Sequence, residues 1–287
     1  MSRILVPVDD TEQSLQALRF ALAYAKDKHE LTLLHVVPFY PSKNVINQLG
    51  QKQLREYQLQ EAHEELAKVK ELADQSGIPY TLEIRFGDVP QIINEFSKIN
   101  FEAMVMGTHG YGRLMGYLMQ SVSYPTIHDV KLPVFLISDE TNAERFPWSK
   151  VLIAVDGSEQ AKEAIEKATA LSQSLDVTYS LVTVVPPPVS YAGAYGPGWQ
   201  DVATLEEWGK STLLPYEEMM QEKGVTYQSQ VLIGDPATVI KQTAKEQEAD
   251  LIVLGHHGMG GVAGTMMGSV TFKLVHRART PLLIVKK

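Results

Sequence analysis

The chain repeats itself at long range. Ile4-Leu5-Val6-Pro7-Val8-Asp9 returns as Leu152-Ile153-Ala154-Val155-Asp156, with the two aspartates 147 positions apart. Leu33 to Pro38 returns as Leu181 to Pro186, Gly87-Asp88 as Gly234-Asp235, Gly107 and Gly110 as Gly255 and Gly258, and Leu132-Pro133 as Thr280-Pro281, every offset being 147 or 148. Landmarks kept in register over such a distance require two copies of one folding unit. In a chain of 287 residues each copy is long enough to bury a core of its own. The polar segment 138–150 reads as the join, which puts one domain at 1–142 and the other at 143–287.

Within each copy, short runs of Val, Ile and Leu alternate with longer segments of helical periodicity. That alternation predicts an α/β domain, a parallel sheet flanked by helices. In the second copy the apolar runs fall at 151–155, 177–185, 225–233, 250–255 and 281–285, so five strands are expected. Thr11 and Ser158 stand where helix N-caps belong, each followed by a glutamate that the helix dipole favours. Asp235-Pro236 reads as another cap with proline in the first turn. Segments 38–49 and 186–203 are expected to be irregular. In open sheets of this class ligands sit at the carboxyl ends of the strands, where strand order reverses. The first and fourth strands of each copy are the candidates for that edge.

After the fourth strand of the second copy comes a loop from Gly255 to Gly268 containing six glycines, followed by Ser269, Val270 and an amphipathic segment. Glycines let backbone N–H groups approach an anion with no Cβ in the way, and a following helix start adds unsatisfied donors. A serine hydroxyl can also donate to phosphate. The competing reading is a plain strand-to-helix connection.

Gly255, Gly258, Gly268 and Ser269 have the spacing Gly-x2-Gly-x9-Gly-Ser, which resembles the nucleotide-binding members of the universal stress protein family. The aspartate closing the first strand and the Leu-x-x-Val-Val end of the second are also family features in both copies, so the resemblance covers nearly the whole chain. It implies two five-stranded, doubly wound, Rossmann-like domains of strand order 3-2-1-4-5. It further implies that ATP or another adenine nucleotide is bound, with Mg2+ arriving alongside it if at all. Asp156 would contact the ribose, the backbone around Ala154 and Val184 would flank adenine, and the loop with Ser269 and Val270 would take the phosphates. Members of the family commonly pair through their last strands, which implies an intrachain pseudo-dimer through Pro133 to Ile137 and Pro281 to Val285, or a homodimer of whole chains.

The first copy offers Asp9, Val36, Gly107, Gly110 and Ser121 as its counterparts, but Gln120 stands where the second copy has Gly268. A glutamine there projects into phosphate space, although its amide could donate. Pro125 also replaces Lys273, while Arg113 adds a cation where Gly261 has none. Nucleotide binding is therefore expected chiefly in the second copy.

Other residues are more ambiguous. Asp9 and Asp156 could simply cap the turn into the first helix. His109 and His257 could bond a phosphate or pack on the loop, and Met259, Met266 and Met267 read as apolar lining. Gly209-Lys210-Ser211 mimics the end of a P-loop, yet position 204 is threonine where that motif needs glycine.

The 34 acidic and 26 basic residues give a net charge of −8, which argues against broad attraction to nucleic acid or anionic membrane. The absence of cysteine excludes disulfides and thiolate chemistry. No metal site, catalytic group or apolar leader is expected, and a cytoplasmic location is. The sequence thus favours a stress-response regulatory module that binds an adenine nucleotide, with an unknown protein partner. A slow ATPase or adenylyl-transferring enzyme, and a ligand-free assembly module, are the alternatives.

Overall fold

Val, Ile and Leu dominate the strands because a parallel strand is covered on both faces. In the computed structural model, which describes residues 2–26, 28–38, 51–108, 129–138, 141, 146–187, 202–258, 267–276 and 278–286, these runs form the strands of two compact units, Met1–Glu144 and Arg145–Lys287. The first contains β1 (Ser2–Pro7), α1 (Glu12–Ala25), β2 (His29–Val37), α2 (Gln51–Glu65), α3 (Ala67–Ser76), β3 (Tyr80–Phe86), α4 (Val89–Ser97), β4 (Ala103–Gly107) and β5 (Val134–Ile137). The second contains β6 (Lys150–Ala154), α5 (Glu159–Leu171), β7 (Thr178–Val185), α6 (Val202–Glu222), β8 (Tyr227–Ile233), α7 (Pro236–Glu246), β9 (Leu251–Gly255), α8 (Ser269–Val275) and β10 (Leu282–Val285). The segment expected to be irregular at 186–203 is already helical at Val202, and 188–201 lies outside the described residues.

Each unit is a parallel sheet of five strands. The order is β3-β2-β1-β4-β5 in the first and β8-β7-β6-β9-β10 in the second. Ile4 is in register with Leu31 on one side and Ala103 on the other, as Val151 is with Tyr179 and Leu251. Strand order therefore reverses between β1 and β4, and between β6 and β9. Every residue of β4 is buried, so helices cover both faces there. α1 lies against β1, β4 and β5, whereas α4 lies against β2. In the second unit α5 lies against β9 and β10, and α6 against β7 and β8.

Local chemistry starts the helices where the sequence indicates. The Thr11 and Ser158 hydroxyls accept from the Ser14 and Ala161 amides at 3.3 and 3.2 Å. Asp88 and Asp235 cap α4 and α7, accepting from Gln91 and Thr238 amides at 3.1 Å each. Each such cap contributes about 1 kcal/mol.

Gly209 has a structural role unrelated to phosphate. It sits within α6, and a Cβ there would lie 2.3 Å from Cγ1 of Val231 on β8. The helix thus approaches the sheet more closely than a side chain permits. Alanine would gain roughly 1 kcal/mol of helix propensity. It would also overpack against a stiff β-branched neighbour, at a cost of about 1–3 kcal/mol. The clash should win: Gly209→Ala is expected to lower unfolding free energy by about 1 kcal/mol in urea denaturation, and Val231→Ala in the same chain should recover part of the loss. Stabilisation by Gly209→Ala alone would refute the close-approach account.

Candidate functional site

The site is built at the carboxyl end of β6. Ala154 closes the strand, and Val155 keeps the sheet going by donating from its amide to the Val182 carbonyl at 2.9 Å. Asp156 follows, half-buried, then Gly157 at φ 92°, a left-handed conformation that glycine adopts without strain. The Asp156 carboxylate turns back over this bend. Its Oδ1 accepts from the Ser158 amide at 3.1 Å and from the Ser158 hydroxyl at 2.6 Å. So the capping role considered for Asp156 is real for one oxygen.

The other oxygen, Oδ2, faces the glycine loop. A Cβ on Gly258 would lie 2.1 Å from it, so only glycine lets the loop backbone come this close to the carboxylate. The loop's two ends are tied together. Gly268 donates from its amide to the His256 carbonyl at 3.0 Å, and the Thr271 hydroxyl donates to the Gly255 carbonyl at 3.1 Å. A Cβ on Gly268 would stand 3.3 Å from the His256 carbonyl oxygen and 3.7 Å from the Gly258 nitrogen. Any longer side chain at 268 would therefore start from the neck of the loop. Ser269, exposed, and Val270, half-buried, open the short helix α8. Val184 on β7 is half-buried as well.

Gly255 has a packing reason of its own, because a Cβ there would meet Cβ of Gln160 at 2.7 Å in the first turn of α5. Gly107 repeats the arrangement, its Cβ position lying 2.9 Å from the Gln13 carbonyl oxygen. His257 is half-buried against buried His256, with Nδ1 to Nδ1 at 2.7 Å and ring centroids 4.2 Å apart. Packing of His257 on the loop is thus part of its role. Met267 is buried, while Met259 and Met266 lie outside the described residues.

Two residues emerge here that the sequence did not single out for the site. Tyr216 reaches from α6, buried, and its hydroxyl donates to the Ser158 carbonyl at 3.0 Å. Burial pushes its phenol up to about 12, the Asp156 carboxylate adding to the rise. Asp235, read only as a cap, also holds Lys273 of α8, with Nζ to Oδ2 at 2.9 Å. No Lys or Arg lies between Gly255 and Lys273, so the nearest cation along the loop is engaged by a carboxylate.

The first unit has the same turn with different surroundings. Asp9 accepts at Oδ1 from both the amide, at 3.0 Å, and the hydroxyl of Thr11. It is only 5% exposed, and Val36 is fully buried, where Asp156 and Val184 are half-buried. His35, where the second unit has Thr183, must carry its proton on Nδ1 to donate to the Val8 carbonyl at 2.9 Å. Its Nε2 then faces Glu65 Oε2 at 3.8 Å. Burial raises the Glu65 carboxyl above its ordinary value; His35 opposes the rise, and Asp10, Glu61 and Asp9 add to it. Asp9 and Val36 are thus buried, with several acids beside them. Gly110, Ser121, Gln120, Arg113, His109 and Pro125 lie outside the described residues.

Among the described residues no group of three or more His, Asp or Glu side chains is arranged to hold a metal, and no helix is long and apolar enough to cross a membrane.

Fold and site together define a tandem pair of doubly wound α/β domains, with a glycine loop at the switch point of the second. The Universal stress protein family model matches residues 1–138 and 147–286, and the chain belongs to that family. It is 30% identical over 304 residues to a universal stress protein of Mycobacterium tuberculosis, covering 99% of this chain and 96% of that one. A Mycolicibacterium smegmatis universal stress protein is 27% identical over 300 residues, with the same coverage. The crystal structure of a universal stress protein from Archaeoglobus fulgidus superposes with a TM-score of 0.73 at 23% identity, covering 99% of this chain and 98% of that one.

The Lys273–Asp235 pair has a pH signature. The Lys273 ammonium, with Thr238 helping, lowers the Asp235 carboxyl from 3.8 to about 2. Stabilisation from a depressed carboxyl is fully present above its unfolded value and is lost as pH falls through the folded one. Both side chains are close to half exposed, so Lys273→Met should cost no more than about 1 kcal/mol at pH 7. The gap between wild type and variant should close between pH 4 and pH 2 in urea denaturation. A gap that persists undiminished at pH 2 would mean that Lys273 acts by packing.

Proposed function

We propose that this universal stress protein binds ATP or a related adenine nucleotide in its second unit and serves as a nucleotide-responsive regulatory module in the cytoplasm. One observation carries the reading: Asp156, Gly258 and Gly268 converge at the carboxyl end of β6, at the strand-order reversal where α/β sheets take ligands. In this reading the half-buried Ala154 and Val184 flank adenine, and Asp156 meets the ribose. Gly255, His257, Gly258, Gly268, Ser269 and Val270 surround the phosphates. Glycine at 268 keeps a side chain away from the Gly258 amide at the neck of the loop, which supports a phosphate there. Mg2+ would enter on the nucleotide, since these residues supply it no dedicated ligand set.

The first unit is assigned a different role. Its counterparts Asp9 and Val36 are buried, and Asp9, Asp10, Glu61 and Glu65 would repel a polyphosphate. No residue is assigned to catalysis, and Lys273, the nearest cation along the loop, is turned to Asp235.

Isothermal titration of the purified chain with ATP and AMP, with and without Mg2+, tests the reading. One binding event per chain is expected, and Gly268→Gln should weaken it by at least about tenfold, or about 1.4 kcal/mol. A wild-type chain that binds neither nucleotide, or a Gly268→Gln chain that binds as well as wild type, overturns the assignment.

A further inference from the structure

Three links run from helix α6 to the glycine loop. The Tyr216 hydroxyl donates to the Ser158 carbonyl at 3.0 Å. Ser158 in turn holds Asp156 Oδ1 through its amide at 3.1 Å and its hydroxyl at 2.6 Å. Two donors from one residue fix the plane of the carboxylate, and that plane places Oδ2 against Gly258.

The turn needs such an anchor. Gly157, at φ 92°, gives the Asp156–Ser158 bend its shape, and glycine also makes that bend easy to deform. The Ser158 carbonyl accepts one local bond, from the Ala161 amide at 3.2 Å. It also accepts from the Tyr216 hydroxyl, which belongs to another element of the unit and sits on a side chain that is 1% exposed. A phenylalanine would fill the same volume without needing an acceptor. What the hydroxyl adds is a fixed position for the turn. In the first unit the bend is Asp9-Asp10-Thr11, without a glycine, and the groups facing it include Glu65 beside His35.

We infer that Tyr216 is a positioning residue: it sets Asp156 and, through Asp156, the Gly258 end of the loop, so that the ribose side of the ligand meets a preformed carboxylate. The ligand part of this inference rests on the function proposed above. The part concerning Asp156 and Gly258 does not.

The test uses the full chain with Tyr216→Phe, Asp156→Asn and both together. In the ligand-free protein, Tyr216→Phe should speed amide hydrogen exchange at Gly157, Ser158 and Gly258 by about fivefold while leaving exchange in β7 and β8 unchanged. In titrations, Tyr216→Phe should weaken ATP by about fivefold and inorganic tripolyphosphate distinctly less, since tripolyphosphate meets the Gly258 end of the loop but has no ribose for Asp156 to hold. In the Asp156→Asn background the same change should add no more than about twofold. If Tyr216→Phe fails to fold, Ser158→Ala breaks the next link and should reproduce the ATP loss. Unchanged exchange at Gly258, equal losses for ATP and tripolyphosphate, or additive losses in the double variant each overturn the inference. A wild-type chain that binds no nucleotide refutes the proposed function alone, and the exchange measurement still decides whether Tyr216 sets Asp156 and Gly258.

Discussion

The Asp156 carboxylate divides its two oxygens between two parts of the second unit. One oxygen completes the turn into α5, and the other lies where the loop after β9 passes overhead. Neither arrangement works without the other side giving way: the loop offers a glycine, and the turn offers a serine amide and hydroxyl. Gly258 at one end of the loop and, through Ser158, the buried Tyr216 are both tied to this carboxylate. In the function proposed above, a carboxylate held in this way would meet its ligand with its geometry already set. Preorganisation of this kind improves binding without new contacts, because less ordering is left to the binding event.

The two units show how far surroundings can diverge while the backbone stays the same. Both have five parallel strands in one order, both cap the first helix with a hydroxyl, and both turn an aspartate over that cap. What differs is what faces the turn. In the second unit it is a neutral phenol, whereas in the first it is a histidine paired with a glutamate among further acids. The change is one of charge around a shared turn, and it leaves the way the turn folds unaltered.

Much of this was legible in the sequence because it is local or periodic. The strand runs of the second unit came within two residues of their observed bounds, and Thr11, Ser158 and Asp235 cap the helices they precede. The glycine spacing placed Gly255, Gly258 and Gly268 together. The contacts that were not legible are those between elements far apart in the chain. Nothing in helical periodicity says that Tyr216 lies over Ser158, 58 positions away, or that Lys273 reaches Asp235, 38 positions away. Gly209 did carry a signal, since a glycine inside a helical pattern costs about 1 kcal/mol and implies close approach. Its neighbours Lys210 and Ser211 made it resemble a phosphate motif instead.

Gly107 and Gly255 close the fourth strand of each unit against Gln13 and Gln160, residues at the same place in the two repeats. Because this contact is shared by two units whose strand ends differ in burial and charge, it belongs to the scaffold. The duplicated chain is in this sense its own reference. Whatever the halves hold in common marks what the architecture demands, and whatever they do not, from Thr183 against His35 to Gly157 against Asp10, marks where one half was released to take up other chemistry.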